Sequence, residues 1–123
     1  MYKLILVDST GNTFLKIIPD LQTDNRVLLR QADSGMAAFD TLSSGTYDLA
    51  LVSEQLTDMT GIEFVRQLVA RYPFVNCALV SSMQDADFHE ATEGLGILSK
   101  LPSKPDATHV AELMRKLESI VTH

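Results

Sequence analysis

Residues 48–61 read DLALVSEQLTDMTG, and their reading decides how the rest of the chain is parsed. Leu49, Ala50, Leu51 and Val52 make a short apolar run opened by Asp48, the pattern of a strand buried on both faces. A polar loop follows. From Gly61 the segment GIEFVRQLV takes on helical periodicity. Strand, loop and helix therefore succeed one another within a few residues, and Ser53 stands where the strand gives way to the loop.

The same alternation extends outward. Leu4 to Val7 form a first strand, and Phe14, Leu15, Ile17, Ile18 and Leu21 give a helical apolar face that Pro19 is expected to bend or end early. Val27, Leu28 and Leu29 form a second strand. A second helix carries Met36, Ala37, Phe39 and Leu42, with Ser34 as its cap and Gly45 near its end. The third strand spans residues 48–52, and the third helix spans residues 61–71, stopped before Pro73. A fourth strand covers residues 76–80. Residues 85–93 make a short helix with only Ala86, Phe88 and Ala91 facing inward, Gly96, Ile97 and Leu98 a fifth strand, and a last helix from about Thr108 lines up Val110, Leu113, Met114, Leu117, Ile120 and Val121. Parallel crossovers need a dozen or more residues and place helices outside the sheet. The expected fold is thus a doubly wound, flavodoxin-like (βα)5 α/β domain, with five parallel strands covered on both faces. Ligands of such sheets sit beyond the carboxyl ends of the strands, so Asp8, Ser9, Ser53, Ser81 and Lys100 should converge on one rim.

Composition narrows the function. With 123 residues, 46% of them hydrophobic, and no Pro/Gly-rich linker, residues 1–123 read as a single domain with a sizeable core. The formal net charge of −6 argues against a nucleic-acid surface, which needs clustered Lys and Arg. Cys77, the one cysteine, lies in an apolar run and reads as a small buried hydrophobe in a reducing compartment, so the cytoplasm is the expected location. No apolar run approaches the roughly 18 residues of a membrane span, and no signal peptide is visible. His89, His109 and His123 are dispersed on polar segments without partners at ligand spacing, so no metal site is expected and the histidines read as solvated. Nor is a Ser-His-Asp arrangement or nucleophile elbow visible. Met59 fills a gap or marks a contact surface.

The stretch from Asp48 to Gly61 resembles the central motif of bacterial response-regulator receiver domains, which are CheY-like. In that family the strand ends in a phosphoacceptor Asp, followed four residues later by Pro and eight residues later by Gly. Here Ser53 takes the acceptor position, Thr57 the Pro position, and Gly61 keeps its spacing. The family holds Mg²⁺ with an acidic pair after the first strand, and Asp8 and Ser9 match that pair, so two of three expected carboxylates are replaced by hydroxyls. Ser81 matches the family's switch hydroxyl. Lys100, four residues after Gly96, matches its phosphate-contacting Lys, with Lys104, before Pro105, as a second candidate. Ile97 replaces the aromatic residue that often swings on activation.

What the resemblance implies is a degenerate receiver. Phosphotransfer of this kind needs a carboxylate nucleophile, and a serine hydroxyl is weak without an activating base. Mg²⁺ prefers several hard anionic oxygens, and Asp8 alone is too little. The expectation is a pseudo-receiver that binds no cofactor, is not an enzyme, and works by protein–protein contact. Ser53 and Ser9 then serve as polar strand-end residues, or Ser53 as a serine phosphosite, and Asp8 and Lys100 form a structural ion pair. Asp58 is the carboxylate to check should the acceptor lie elsewhere. Receivers usually pair with themselves or meet effectors through the fourth helix, fifth strand and fifth helix, here roughly residues 85–118, with Arg115 and Lys116 as charged candidates. The partner is an effector domain or signalling protein, or a second copy, and the chain reads as a piece of a longer regulator.

A second reading takes residues 9–13, STGNT, as the phosphate loop of a flavodoxin-like electron carrier binding FMN, since hydroxyls and backbone N–H groups at a helix start suit a phosphate. Against it stand the negative charge of Asp8 beside the loop, and the absence of Trp and of an aromatic pair to sandwich the flavin.

Overall fold

The computed structural model describes residues 1–121, the last by its backbone alone; His123 and the side chain of Val121 lie outside the described residues. Strands β1 (Tyr2–Val7), β2 (Val27–Ala32), β3 (Leu49–Val52), β4 (Asn76–Val80) and β5 (Ser99–Leu101) alternate with helices α1 (Ile18–Thr23), α2 (Gly35–Leu42), α3 (Gly61–Arg71), α4 (Asp85–Ala91) and α5 (Ala107–Val121). The strands form one parallel sheet in the order β2-β1-β3-β4-β5. This is the doubly wound α/β architecture the alternation predicts.

β3 lies in the middle of the sheet and all four of its residues are buried, which is why its sequence shows no polar alternation. Successive side chains point to opposite faces, so β1, β3 and β4 each feed two cores. Ile5, Val7, Ala50, Val52, Cys77 and Leu79 pack with Phe39, Phe64, Leu68 and Phe88 of α2, α3 and α4. Leu4, Leu6, Leu49, Leu51, Ala78 and Val80 pack with Phe14, Ile17, Leu21, Leu113, Met114 and Leu117 on the α1 and α5 side. The Phe39 and Phe64 rings stack with centroids 4.8 Å apart. Burial pushes the Cys77 thiol up to about 12, as befits a small core hydrophobe.

Local chemistry explains the turns that carry the rim. Ser34 caps α2 by accepting from Ala37 N at 3.0 Å, and Thr60 caps α3 by accepting from Glu63 N at 3.1 Å. Gly61 is demanded by packing. Its amide donates to the Glu54 carbonyl at 2.9 Å, and a Cβ there would lie 2.3 Å from the Ser53 carbonyl oxygen and 2.8 Å from Leu79 Cδ1. The fixed spacing between Ser53 and Gly61 thus records a close backbone crossing where the loop returns to the strand end.

β1 reaches back to Tyr2 and β2 runs on to Ala32, past their apolar runs, and three further boundaries differ for local reasons. Pro19 opens α1 instead of ending it, because the first helical turn needs no N–H from that position, and residues 13–17 form turns that bury Phe14 and Ile17 while Leu15 stays exposed. α4 stops at Ala91 with Phe88 as its buried residue, since Thr92 turns both its N–H and its hydroxyl onto the Phe88 carbonyl; Ala86 is exposed. β5 begins at Ser99, not at Gly96. Gly94 and Gly96 adopt φ of 81° and 65°, which commits this stretch to a turn, and the parallel register pairs Leu79 with Lys100 and Val80 with Leu101.

Candidate functional site

The carboxyl ends of β1 and β3 bring Asp8, Ser9 and Ser53 together, as the topology predicts. Asp8, just past β1, receives a ring of donors from the turn that follows it. Thr10 N and Thr13 N approach its two carboxylate oxygens at 3.3 and 3.1 Å, and the hydroxyls of Thr10 and Thr13 approach Oδ1 at 3.1 Å each. Thr13 Oγ1 also lies 3.1 Å from Ser53 Oγ. A hydroxyl has a single hydrogen, and that of Thr13 is given to Asp8, so Ser53 donates to Thr13. The result is a directed chain, Ser53 to Thr13 to Asp8. Ser53 is only 5% exposed.

Ser9 faces the other way. Its hydroxyl donates to the Asp33 carbonyl at 2.6 Å and accepts from Thr57 N at 3.0 Å, tying the loops after β1, β2 and β3 to one another. Asp58 strengthens the same junction by accepting from Gly35 N and Met36 N, at 2.9 and 3.0 Å, at the start of α2. These two amides hold its carboxyl below the usual carboxylate range. Its oxygens are spent on the helix start and not offered to the rim. Met59 lies against Gly35 and the core beneath, so it fills a gap.

Ser81 lies just past β4, 5% exposed, with its N–H donating to the Leu101 carbonyl at 3.1 Å and its Oγ accepting from Met83 N at 3.1 Å. Next to it, Glu54 Oε2 accepts from Ser82 N at 2.8 Å and from Ser82 Oγ at 3.0 Å.

Lys100 does not pair with Asp8. Its Nζ donates to the Met83 carbonyl and lies 3.0 Å from Asp85 Oδ1, with the Phe88 ring centroid 5.8 Å away. Strand order gives the reason: β5 is separated from β1 by β3 and β4, three spacings or roughly 14 Å. Asp85, at the start of α4, is within reach. Lys100 in turn holds the Asp85 carboxyl below the usual range. Lys104 is exposed in the loop after β5.

The donor set does not suit a Mg²⁺ ion. Such an ion wants unencumbered carboxylate oxygens, and both oxygens of Asp8 are already occupied by amides and hydroxyls. Among the described residues no group of three or more His, Cys, Asp or Glu is placed to hold a metal. His89 is exposed, and His109 Nδ1 lies 3.0 Å from Asp106 Oδ1. Residues 9–13 do not suit a phosphate either, because the Thr10 and Thr13 amides point at Asp8. The exposed aromatic Phe74 lies before β4, at the opposite end of the sheet from this loop.

No family model matches the chain. Over 42 residues it is 48% identical to the aerobic respiration control sensor protein ArcB of Escherichia coli K12, and equally to that of Shigella flexneri. This segment covers 34% of the chain, and the chain spans only 5% of the length of these curated relatives. Solved structures align along nearly the whole chain. The signal receiver domain of an HD domain-containing protein from Pseudomonas fluorescens Pf-5 superposes with a TM-score of 0.82 at 21% identity, covering 97% of this chain and 88% of that one. The chemotaxis response regulator CheY4 of Vibrio cholerae gives 0.81 at 16% identity, covering 95% and 98%. The chain has the CheY-like receiver fold. At these identities the superpositions speak for the architecture, and the chemistry of the rim has to be argued from its own residues.

Two of those residues escape a motif reading. Thr13 is the pivot between Asp8 and Ser53, yet in the sequence it is one hydroxyl among several in STGNT; only its place five residues after Asp8, across one turn, hints at it. Glu54 follows the strand end as any loop acid does, and nothing in the sequence connects it to Ser82.

The clefts flanking the rim differ in size. One of about 850 Å³ opens between α4, β5 and α5 and is lined by Phe88, His89, Ile97, Lys100, His109 and Lys116 among others. Arg115 is exposed on α5. Among the described residues no helix is long and apolar enough to cross a membrane.

Proposed function

We propose that this chain is a pseudo-receiver module of a two-component-type signalling protein, which acts by protein–protein contact and takes no Mg²⁺-dependent phosphoryl group on an aspartate. The observation that carries the reading is the hydrogen-bonded chain from Ser53 through Thr13 to Asp8. At residue 53 the strand end presents a buried hydroxyl whose partner is another hydroxyl, so no base is in place to activate it. Asp8, the one carboxylate left of the three that the family resemblance would place at this site, is saturated by donors from its own loop. A rim arranged in this way keeps one conformation, and the module offers its partner a preset surface.

That surface is the α4-β5-α5 face, whose 850 Å³ cleft combines apolar residues with charges of both signs. A protein partner fits it, either an effector or signalling domain or a second copy of the chain. The net charge of −6 speaks against nucleic acid as the ligand.

Intact-mass measurement after incubation with acetyl phosphate and Mg²⁺ tests the reading. The expected spectrum is that of the unmodified chain. A phosphoryl adduct mapped to Asp8 or Asp58, or magnesium and beryllofluoride bound against residue 53 in a soaked crystal, overturns it.

A further inference from the structure

Residue 53 points inward to β1, which leaves open what fixes the loop after β4 and the helix beyond it. We infer that Glu54 is the clasp that sets the α4 end of the domain, an internal carboxylate in contact with Ser82 that holds the docking face in one position.

Glu54 is anchored before its side chain begins. Its carbonyl accepts from Gly61 N at 2.9 Å, where the loop crosses back over the strand end, so the carboxylate hangs from a fixed backbone. From there one oxygen, Oε2, takes both the N–H and the hydroxyl of Ser82, at 2.8 and 3.0 Å. The next residue continues the connection. Met83 donates its N–H to Ser81 Oγ at 3.1 Å and offers its carbonyl to Lys100 Nζ. Lys100 meets Asp85, the first residue of α4, at 3.0 Å, above the ring of Phe88. A continuous polar path thus runs from the end of β3 to α4 and β5.

α4 needs such fastening. It has seven residues, Phe88 is its one buried side chain, and Gln84 at its start makes no capping hydrogen bond. A helix so short has little intrinsic stability and takes its position from its contacts. Without Glu54 the Ser82 amide loses its partner, and the loop from Ser82 to Gln84 is held on one side only, by Ser81 and Lys100.

The biological meaning of the clasp rests on the docking role proposed above, but its test does not. Amide hydrogen exchange of the full 123-residue chain, with no partner and no phosphoryl donor present, reads it directly. In Glu54→Ala the amides from Ser82 to Phe88 should exchange about tenfold faster, the loss expected for a charge-assisted hydrogen bond to a backbone N–H. Glu54→Gln, which keeps a neutral acceptor, should show a smaller rise, and Ser82→Ala, which keeps the N–H contact, a smaller one still. The β1 and β3 amides should be unchanged in all three. Unchanged exchange between Ser82 and Phe88 in Glu54→Ala, or an equal rise throughout the chain, overturns the inference. Should Glu54→Ala fail to fold, the ordering of Glu54→Gln above Ser82→Ala decides by the same readout. A phosphoryl adduct in the mass experiment would sink the pseudo-receiver reading and leave the clasp standing; unchanged exchange here would do the reverse.

Discussion

Removing the Thr13 hydroxyl while keeping its shape, as in Thr13→Val, strikes the rim at its pivot. Two contacts are lost, the 3.1 Å bond to Asp8 Oδ1 and the 3.1 Å bond from Ser53 Oγ. The first costs about 1 kcal/mol, since Asp8 retains the amides of Thr10 and Thr13 and the Thr10 hydroxyl. The second costs more, about 1–2 kcal/mol, because Ser53 is 5% exposed and its hydroxyl is left without a partner. Together they amount to about 2.5 kcal/mol, a fall in Tm of about 10 °C for a chain of this length. Ser53→Ala alone loses one bond and leaves Thr13 on Asp8, at about 1 kcal/mol. In the double variant the buried hydroxyl no longer wants a partner, so the combined loss should fall short of the sum by about 1 kcal/mol. Urea unfolding of the four proteins measures this coupling. Losses that add to within about 0.3 kcal/mol would mean that the two hydroxyls do not meet, and the directed chain from Ser53 to Asp8 would have to be given up.

Two further outcomes follow from single sites. Gly61→Ala places a Cβ 2.3 Å from the Ser53 carbonyl, a backbone atom that cannot retreat, and should cost about 3 kcal/mol in thermal unfolding, whereas Gly35→Ala meets only the flexible end of Met59 at 2.6 Å and should cost about 1 kcal/mol or less. Asp58 has a carboxyl held below its usual range by the Gly35 and Met36 amides, so its contribution is present above the unfolded-state value of about 4 and is lost as pH falls through the lower folded value. Asp58→Asn should therefore lower Tm at pH 7 and flatten the part of the Tm profile below about pH 4 that this group supplies; parallel profiles for the two proteins would refute it.

The sheet was legible because its physics is local. Four consecutive apolar residues at 49–52 specify a strand buried on both faces, and the helical stripe of Val110, Leu113, Met114 and Leu117 specifies what covers one of them. Asp8, Ser9 and Ser53 were legible as neighbours for the same reason: a parallel sheet puts every strand's carboxyl end on one rim. The partners of these residues were not legible. Whether Lys100 meets Asp8 or Asp85 depends on which strands lie between them and on where β5 begins, and the positive φ angles at Gly94 and Gly96 move that start by three residues. Pro19 was misread because a proline that breaks a helix interior is equally at home in its first turn. Side-chain hydrogen bonds between loops, such as those from Ser9 to Asp33 and from Ser82 to Glu54, join residues 24 and 28 positions apart and leave no periodic trace.

One solution recurs at the carboxyl ends of the strands, and it bears on how these loops hold their shape. Asp8 is satisfied by the Thr10 and Thr13 amides, Asp58 by those of Gly35 and Met36, and Glu54 by that of Ser82. Each is an acid resting on backbone N–H groups, and Asp58 and Glu54 reach across from the loop after β3 to the loops after β2 and β4. A cation could gather such acids only by drawing them to one point, whereas backbone donors hold them apart, each at its own junction. The rim thus has three separate fasteners. Substituting any one of them should loosen the loop it serves and leave the other two in place.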